Sequence, residues 1–277
     1  MNSLMTRWAV GFSGPPTYCK QSNLEGLREA TRRGFSLYES VHGRTDRVAD
    51  ETLATMKEEA TAAGVRLTVH GLYFTVVLSN PDQPLEKSID FVSRSIAIGE
   101  KLGGVPVVIH PGAKYRPNRD KQKWLVINRL SEVLLSGVNP DLVYLESMGK
   151  VDSFGNIIEL LDIARVLGVR IVVDWAHEYA KLCAQGYSLT RKYIRWVIKE
   201  LEYFPWARTD SHHHISGMQV NAGGESKHLS IFTNTTPWEL VLEELFSSRL
   251  GGTITVESDR DDLTPEMLYL QEPVAHD

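Results

Sequence analysis

The chain has 277 residues, of which 42% are apolar and 23% charged, with a net charge of −5 and only two cysteines. These totals exclude a disordered chain and a disulfide-stabilised scaffold, and the acidic balance argues against a protein that binds nucleic acid through charge alone. The sequence contains no run of 18 apolar residues and no long apolar N-terminal stretch, so we expect a cytoplasmic protein without a membrane span.

Short apolar runs alternate with longer amphipathic stretches along the chain. The short runs, rich in Val, Ile and Leu, predict strands at residues 8–13, 36–40, 66–71, 106–110, 142–146, 170–174, 212–216 and 253–257. The intervening patterns predict helices at residues 23–33, 49–63, 85–102, 121–135, 153–167, 189–201 and 237–247. Asp50, Ser153 and Thr236 are the predicted helix starts, and Gly64, Gly104, Gly168 and Gly251 mark predicted ends.

This alternation fits either a closed barrel or an open doubly wound sheet. The first strand is not followed by a G-x-G-x-x-G motif, which removes the main support for a dinucleotide-binding sheet. The positions of the polar residues favour the barrel. We therefore predict an α/β protein with one (β/α)8 TIM-barrel domain over residues 1–277, with a core at about 8–258 and a C-terminal helix or tail at 259–277.

Six predicted strands in succession carry a histidine or a carboxylate at or near their C-terminal end. These residues are His70, His110, Glu146, Asp174, His214 and Glu257. Each follows the previous one by about one βα unit, so a closed barrel would bring the six side chains together at its C-terminal mouth, where active sites of this fold lie. Imidazoles and carboxylates suit divalent metals, and so many ionisable groups in one buried place would be costly without cations.

Other histidines are weaker candidates. His177 lies three residues after Asp174, and His228 lies in the long segment after strand seven. Strand alternation places His212 and His214 on one face and His213 on the other. We expect His212 to support the metal ligands and His213 to pack among the helices, and we expect His42 to lie on the surface.

Several motifs, taken together, resemble those of a known family. They are Val69-His70-Gly71-Leu72-Tyr73-Phe74, Ile109-His110-Pro111-Gly112, Leu145-Glu146-Ser147, Val173-Asp174-Trp175-Ala176-His177, His214-Ile215-Ser216-Gly217 and Val256-Glu257-Ser258. In order and spacing they resemble the endonuclease IV family of apurinic/apyrimidinic endonucleases, within the xylose-isomerase-like TIM-barrel group. The resemblance extends from about residue 8 to 258.

The resemblance implies a zinc-dependent enzyme of DNA repair that cleaves DNA beside abasic sites, with Mn²⁺ or another divalent metal as an alternative to zinc. It implies two or three ions: one held by His70 and His110, a second held by Asp174, His214 and Glu257 and bridged to the first by Glu146, and a third held by His177 and His228. It also implies that Tyr73 and Phe74 enter the DNA and that Arg44 assists them.

The sequence departs from the family pattern at three places. Ser226 stands where the third-site motif has an aspartate, although Glu225 could replace it if the loop shifts. Val76 stands where an asparagine is expected, and Trp175-Ala176 changes the packing beside the strand-six ligands.

For a nuclease, the predicted reaction is attack of a metal-bound hydroxide on the phosphorus 5′ to the abasic site. Glu146 would position the hydroxide and Glu257 would accept its proton, which makes these two the predicted catalytic residues. The basic stretch 114–123, which includes Lys114 and Arg116, follows His110 and could either grip phosphates or form a solvated loop and helix start.

The sequence is also compatible with two alternative functions. A sugar isomerase or epimerase of the same superfamily would use one metal, and the set of Glu146, Asp174, His214 and Glu257 is complete for it. That alternative leaves His70, His110 and His177 unexplained. The barrel could also be a metal-stabilised binding module without catalysis, which would act on neither abasic DNA nor a sugar.

Overall fold

The computed structural model describes residues 7–43, 47–112 and 118–258, with only the backbone described at Phe74, Val76 and Val77. Its strands are β1 (Trp8–Ser13), β2 (Leu37–Val41), β3 (Arg66–His70), β4 (Val107–Ile109), β5 (Val143–Glu146), β6 (Arg170–Asp174), β7 (Ser211–Ile215), β8 (Gly217–Asn221), β9 (Gly224–Leu229) and β10 (Gly252–Val256). Strands β1–β7 and β10 are parallel and close into a barrel in chain order, with β10 between β7 and β1. The predicted (β/α)8 architecture is confirmed, and each barrel strand lies within one residue of its predicted bounds.

Helices surround the barrel. They are α1 (Asn23–Arg32), α2 (Asp50–Ala63), α3 (Leu85–Lys101), α4 (Arg119–Leu135), α5 (Ile157–Leu167), α6 (Trp175–Ala184), α7 (Arg191–Glu202) and α8 (Trp238–Ser247). All but α6 match a predicted helix. None of the helices in the described ranges is both long enough and apolar enough to cross a membrane.

The main hydrophobic core lies between the strands and the helices. Outward-facing strand residues such as Val107, Val143 and Ile171 are buried there. Since the helices cover the outside of the barrel and the opposite strand faces fill its interior, the strands are buried on both faces. This burial explains why they read as apolar runs rather than as alternating patterns.

Strand β7 shows the difference between the two faces most clearly. His213 points outward and lies between Trp8 and Trp175, with ring centroids 5.6 and 6.1 Å away. Burial lowers the pKa of His213 to about 3, so this ring is neutral. His212 and His214 point into the barrel, as the alternation predicted.

Helix ends follow local capping chemistry. Helix α5 begins after Asn156, whose side chain and that of Glu159 form a capping box, so the predicted start at Ser153 is wrong. The predicted start at Thr236 is also displaced, because Pro237 occupies the N-cap position of α8. Gly64 and Gly168 end their helices in the left-handed conformation, as predicted.

Two elements near the barrel mouth were not predicted. Helix α6 begins immediately after β6, because the Asp174 side chain accepts a hydrogen bond from the His177 backbone N–H and caps the helix. Strands β8 and β9 form an antiparallel hairpin after β7. Both carry histidines that concern the candidate site.

Candidate metal centre

The side chains predicted to meet at the mouth of the barrel do meet there. His70, Glu146 and Asp174 are the last residues of β3, β5 and β6, and all three are buried. His110 and Glu257 immediately follow β4 and β10, with side chains 16% and 22% exposed. Within the described part of the chain, the centre is therefore buried on the side of the barrel interior and exposed at the rim.

The two oxygens of Glu146 face different neighbours. Oε2 lies 2.6 Å from His110 Nε2 and 3.5 Å from His70 Nε2. Oε1 lies 3.4 Å from His214 Nδ1. His70, His110 and Glu146 thus form one group whose possible ligand atoms all lie within 4.8 Å of one another.

Glu146 belongs to a second group as well. Its other members are Asp174, His214 and Glu257, and one ligand atom from each of the four lies within 4.8 Å of the rest. His214 Nδ1 is 3.1 Å from Glu257 Oε2. Because Glu146 is shared, the two groups are joined by a single carboxylate.

A third group of possible ligands lies between α6 and the hairpin formed by β8 and β9. It contains Asp174, His177 and His228, again with ligand atoms within 4.8 Å of one another. His177 comes from the first turn of α6 and His228 from β9, and their Nε2 atoms are 3.2 Å apart.

Glu39 in β2 was missed by the sequence reasoning. Its carboxylate is fully buried, with Oε2 lying 2.9 Å from His212 Nε2 and 3.3 Å from His214 Nε2. Since Nε2 of His214 faces Glu39, Nδ1 is the nitrogen presented to Glu146 and Glu257. A carboxylate behind a histidine fixes the ring orientation in many metal sites. A glutamate inside the apolar run Leu37-Tyr38-Glu39 was the available signal.

Side chains of the two neighbouring strands, β1 and β3, also form hydrogen bonds to Glu39. Ser13 Oγ and Thr68 Oγ1 donate hydrogen bonds to it over 2.8 and 3.0 Å. His212 Nδ1 lies 2.6 Å from Thr253 Oγ1. This polar layer supports the expectation that His212 backs the ligands, and it also places a possible ligand group of Glu39, His212 and His214 below them.

The buried carboxylates of the centre require positive charge close to them. Burial opposes ionisation of Glu146, but His110, His214 and His70 outweigh it and hold the Glu146 pKa well below its usual range. Burial also disfavours protonation of His70, yet Glu146 and Glu257 raise the pKa of His70 to about 9. Burial raises the pKa of Asp174.

The residues present fit divalent cations. Glu146 Oε1 and Asp174 Oδ2 are buried and find no hydrogen-bond partner among the described residues. An orphaned buried carboxylate oxygen is costly, and a cation compensates it. Imidazole nitrogens and carboxylate oxygens together are typical zinc ligands, and they also accept manganese.

The proposed DNA contacts are only partly within the described residues. Tyr73 is 42% exposed at the rim, with its ring 5.6 Å from that of His70 and 5.8 Å from that of His110. Arg44, Lys114, Arg116 and the Phe74 side chain lie outside the described residues.

The structure bears on two further interpretations of polar residues. In the basic stretch 114–123, Arg119 and Lys123 pair with Glu159 and Asp162 of α5 over 3.0 and 2.9 Å, as expected for the alternative in which this stretch forms a helix start. His42 is buried rather than on the surface, with Nε2 2.7 Å from Ser40 Oγ.

Comparisons with known proteins agree with this fold. The family model described as Xylose isomerase-like TIM barrel matches residues 27–275. An uncharacterized protein of Methanocaldococcus jannaschii is 24% identical over 202 residues, which cover 69% of this chain and 71% of the relative.

Solved structures of two kinds of enzyme are similar. Endonuclease IV from Thermus thermophilus has a TM-score of 0.64 at 17% identity, over 94% of this chain and 95% of that one. D-Psicose 3-epimerase from Clostridium cellulolyticum, solved with D-tagatose, has a TM-score of 0.61 at 17% identity, over 90% and 84%. At these identities the likeness establishes the fold and singles out neither activity.

Proposed function

The chain belongs to the xylose isomerase-like TIM barrel family, and within that family we propose that it is a divalent-metal-dependent phosphodiesterase that cleaves DNA at abasic sites. Zn²⁺ is the proposed metal, since the candidate ligands are imidazoles and carboxylates. Abasic DNA is the proposed partner, because the sequence motifs resemble those of endonuclease IV and an exposed tyrosine adjoins the centre.

The observation that carries this proposal is the position of Glu146 between two ligand groups. One oxygen faces His70 and His110, and the other faces His214. A carboxylate placed in this way can bridge two cations, and paired cations suit phosphodiester hydrolysis because they stabilise both the attacking and the leaving oxygen. A single cation held by Glu146, Asp174, His214 and Glu257 would leave His70 and His110 without a role as metal ligands.

The residues of the chain would divide the remaining work. The cations would be held by the six residues at the strand ends, which are His70, His110, Glu146, Asp174, His214 and Glu257. Glu257 is a candidate to accept the proton of the attacking water, because its carboxylate lies partly exposed at the mouth beside the other candidate ligands. Its pKa is about 2, so the carboxylate is ionised at neutral pH. Histidines His214 and His228 lower that pKa against the effect of burial.

Tyr73 is the proposed contact to the DNA base stack. It stands exposed beside His70 and His110, so a nucleotide whose phosphate lay at the centre would come within reach of its ring. Aromatic side chains stack on bases without sequence preference. Arg44, Lys114, Arg116 and Phe74 stay proposals from the sequence.

One specific observation favours a second candidate. Glu146, Asp174, His214 and Glu257 form a complete set of four possible ligands without any other residue. This set suits a single-metal sugar isomerase or epimerase, which would act on a small sugar or sugar phosphate. His110 distinguishes the two candidates because it is outside the set of four.

The test combines metal analysis with two activity assays. Purified protein is assayed for bound metal, for nicking of a duplex with one abasic site, and for ketose epimerisation, each with and without chelator. We expect at least two ions per chain and chelator-sensitive nicking. One ion together with ketose turnover, or nicking that survives complete metal loss, would overturn the proposal.

A variant pair sharpens the test. His110→Ala should lower nicking at least about tenfold, because loss of even a supporting residue of a metal site costs that much. Glu244→Gln is the matched control, since Glu244 lies on α8 and pairs with Arg191 and Arg195 away from the mouth. An epimerase that retains full activity in His110→Ala would favour the second candidate.

A further inference from the structure

Gly43, two residues after the end of β2, lies directly against the ring of Tyr73. A Cβ atom on Gly43 would come within 2.4 Å of Tyr73 Cε2, 2.8 Å of Cζ and 2.9 Å of Cδ2. Carbon atoms that are not bonded to each other pack at about 3.5–4.0 Å. The tyrosine ring therefore occupies the space that any side chain at position 43 would need.

The backbone conformation of Gly43 does not itself require a glycine. Gly43 is not among the glycines of the described chain with a positive φ, so an alanine could adopt the same backbone conformation. What the missing side chain provides at this position is room for the ring of Tyr73.

Two backbone hydrogen bonds fix Gly43 relative to Tyr73. The His42 N–H donates to the His70 carbonyl over 3.0 Å, which extends the pairing of β2 with β3 by one residue. The Tyr73 N–H donates to the Gly43 carbonyl over 2.8 Å. The segments that follow β2 and β3 are therefore held together at the mouth of the barrel.

The far end of the segment that carries Tyr73 is anchored as well. Tyr73 begins a short 3-10 helix that ends at Ser79. Arg129 of α4 is buried, and its guanidinium donates hydrogen bonds to the carbonyls of Leu78 and Asn80 over 3.2 and 2.8 Å. Because these bonds fix the backbone after Tyr73, a methyl group at position 43 would displace the ring rather than the segment.

The same ring lies beside two candidate metal ligands. Its centroid is 5.6 Å from that of His70, in an edge contact, and 5.8 Å from that of His110, with 31° between the ring planes. Tyr73 is nevertheless 42% exposed. Since the histidines occupy the inner side of the ring, a displaced ring would move toward solvent.

We propose that Gly43 is a positioning residue, which holds the ring of Tyr73 at the mouth for its contact with DNA beside an abasic nucleotide. This inference rests on the proposed function, because that function assigns the contact to Tyr73. An aromatic ring that is already in place loses little conformational entropy when it binds.

The first experiment measures KM and kcat for nicking of a duplex with one abasic site. Gly43→Ala should raise KM about tenfold, which is the order of effect that loss of one base–aromatic stack produces. It should change kcat by less than about twofold, because the ring would contact the bound substrate and the transition state equally. Bound metal, measured by elemental analysis, should be unchanged.

The same substitution in a second background is the matched control. Tyr73→Ala removes the ring that the new methyl group would strike, so adding Gly43→Ala to Tyr73→Ala should leave KM where Tyr73→Ala alone puts it. A further rise in KM in the double variant would overturn the inference, because Gly43 would then act on something other than Tyr73.

A spectroscopic readout follows the ring without DNA. A 3-fluorotyrosine introduced at position 73 reports the surroundings of the ring through its fluorine chemical shift. In Gly43→Ala this resonance should move toward the value of the free amino acid, whereas Glu244→Gln, on α8, should leave it unchanged.

The double variant also provides the measurement if Gly43→Ala alone fails to fold. Removal of the ring relieves the clash, so the variant with both Gly43→Ala and Tyr73→Ala should fold, as judged by circular dichroism. A double variant that also fails to fold would overturn the inference.

The outcomes separate this inference from the proposed function. An unchanged fluorine resonance in folded Gly43→Ala would overturn the role of Gly43, whatever the wild-type protein does to DNA. A displaced resonance with an unchanged KM would overturn it too, because the position of the ring would then not matter for the substrate. A displaced resonance, with no nicking of abasic DNA by the wild type, would support the placement of Tyr73 by Gly43 and overturn the proposed function instead.

Discussion

Helix α1 and the mouth of the barrel both bury carboxylates, but these carboxylates have different partners. On α1, Glu29 is buried beside arginines, with hydrogen bonds from Arg32 over 2.8 and 2.7 Å and further bonds from Arg33 and Tyr18. At the mouth of the barrel, Glu146 and Asp174 are buried beside histidines and each keeps an oxygen without a hydrogen-bond partner among the described residues.

The pKa values of Glu29 and Asp174 follow this difference, whereas the histidines around Glu146 hold the pKa of Glu146 well below its usual range. Hydrogen bonds from Arg32, aided by Arg33 and Tyr18 and opposed by burial, lower the pKa of Glu29 to about 2. Burial raises the pKa of Asp174 instead. The chain supplies permanent positive charge to Glu29, whereas the histidines at the mouth can exchange a proton for a metal ion. The groups at the mouth can therefore hold cations supplied from outside the chain.

The largest expected effect comes from removing the shared carboxylate. Glu146→Gln should lower abasic-site cleavage by more than about a hundredfold, because even supporting residues around a metal cost up to that much. Elemental analysis should show loss of bound metal. Glu29→Gln, which removes a buried carboxylate that has its own arginines, should retain full metal content and cleavage. Equal losses in both variants would contradict the comparison.

A smaller effect is expected at the layer below the ligands. Glu39→Gln should weaken metal binding about 10- to 100-fold, because Glu39 faces Nε2 of His214 and orients the ring that presents Nδ1 to the centre. Competition with a chromophoric chelator measures the affinity, and circular dichroism checks folding. A change in Co²⁺ absorption would separate this positioning role from a general loss of stability. Unchanged metal affinity in a folded variant would show that Glu39 has a structural role and does not orient His214.

Glu29 should affect stability rather than chemistry, and it should do so in a pH-dependent way. Its pKa is lowered from 4.5 to about 2, so its stabilisation is present above pH 4.5 and is lost as the pH falls toward 2. Glu29→Gln should cost about 1–2 kcal/mol near neutral pH, after allowance for the solvent exposure of Arg32. Denaturant unfolding between pH 7 and pH 3 should show the difference between the two proteins shrinking at the acid end.

The smallest effect is expected at His213. His213→Phe should change the free energy of unfolding by less than about 1 kcal/mol, because neither ring nitrogen has a hydrogen-bond partner among the described residues and the site is apolar. Metal content should be unchanged. Its neighbour His214 has the same side chain on the opposite face, so a loss of metal in His213→Phe would overturn the assignment of faces.

Much of the fold could be predicted from the sequence because barrel strands are short, local and apolar. Each barrel strand was placed within one residue, and the alternation in β7 correctly separated His213 from His212 and His214. Helix starts were less predictable. Ser153 looked like a helix start, but Asn156 had the glutamate at the spacing that a capping box requires.

The candidate site was likewise predictable from the sequence only in part. The sequence by itself determined which groups end the strands, because strand periodicity and barrel closure bring those ends to one mouth wherever the connecting helices lie. It did not reveal Glu39, whose partners His212 and His214 are 173 and 175 residues away along the chain.

Only the tertiary structure decided how the groups are shared. The direction in which each Glu146 oxygen faces, the capping of α6 by Asp174 and the approach of His228 to His177 all depend on how the strands and the hairpin pack together. Local propensity does not encode such contacts, because they join side chains from elements that lie far apart along the chain.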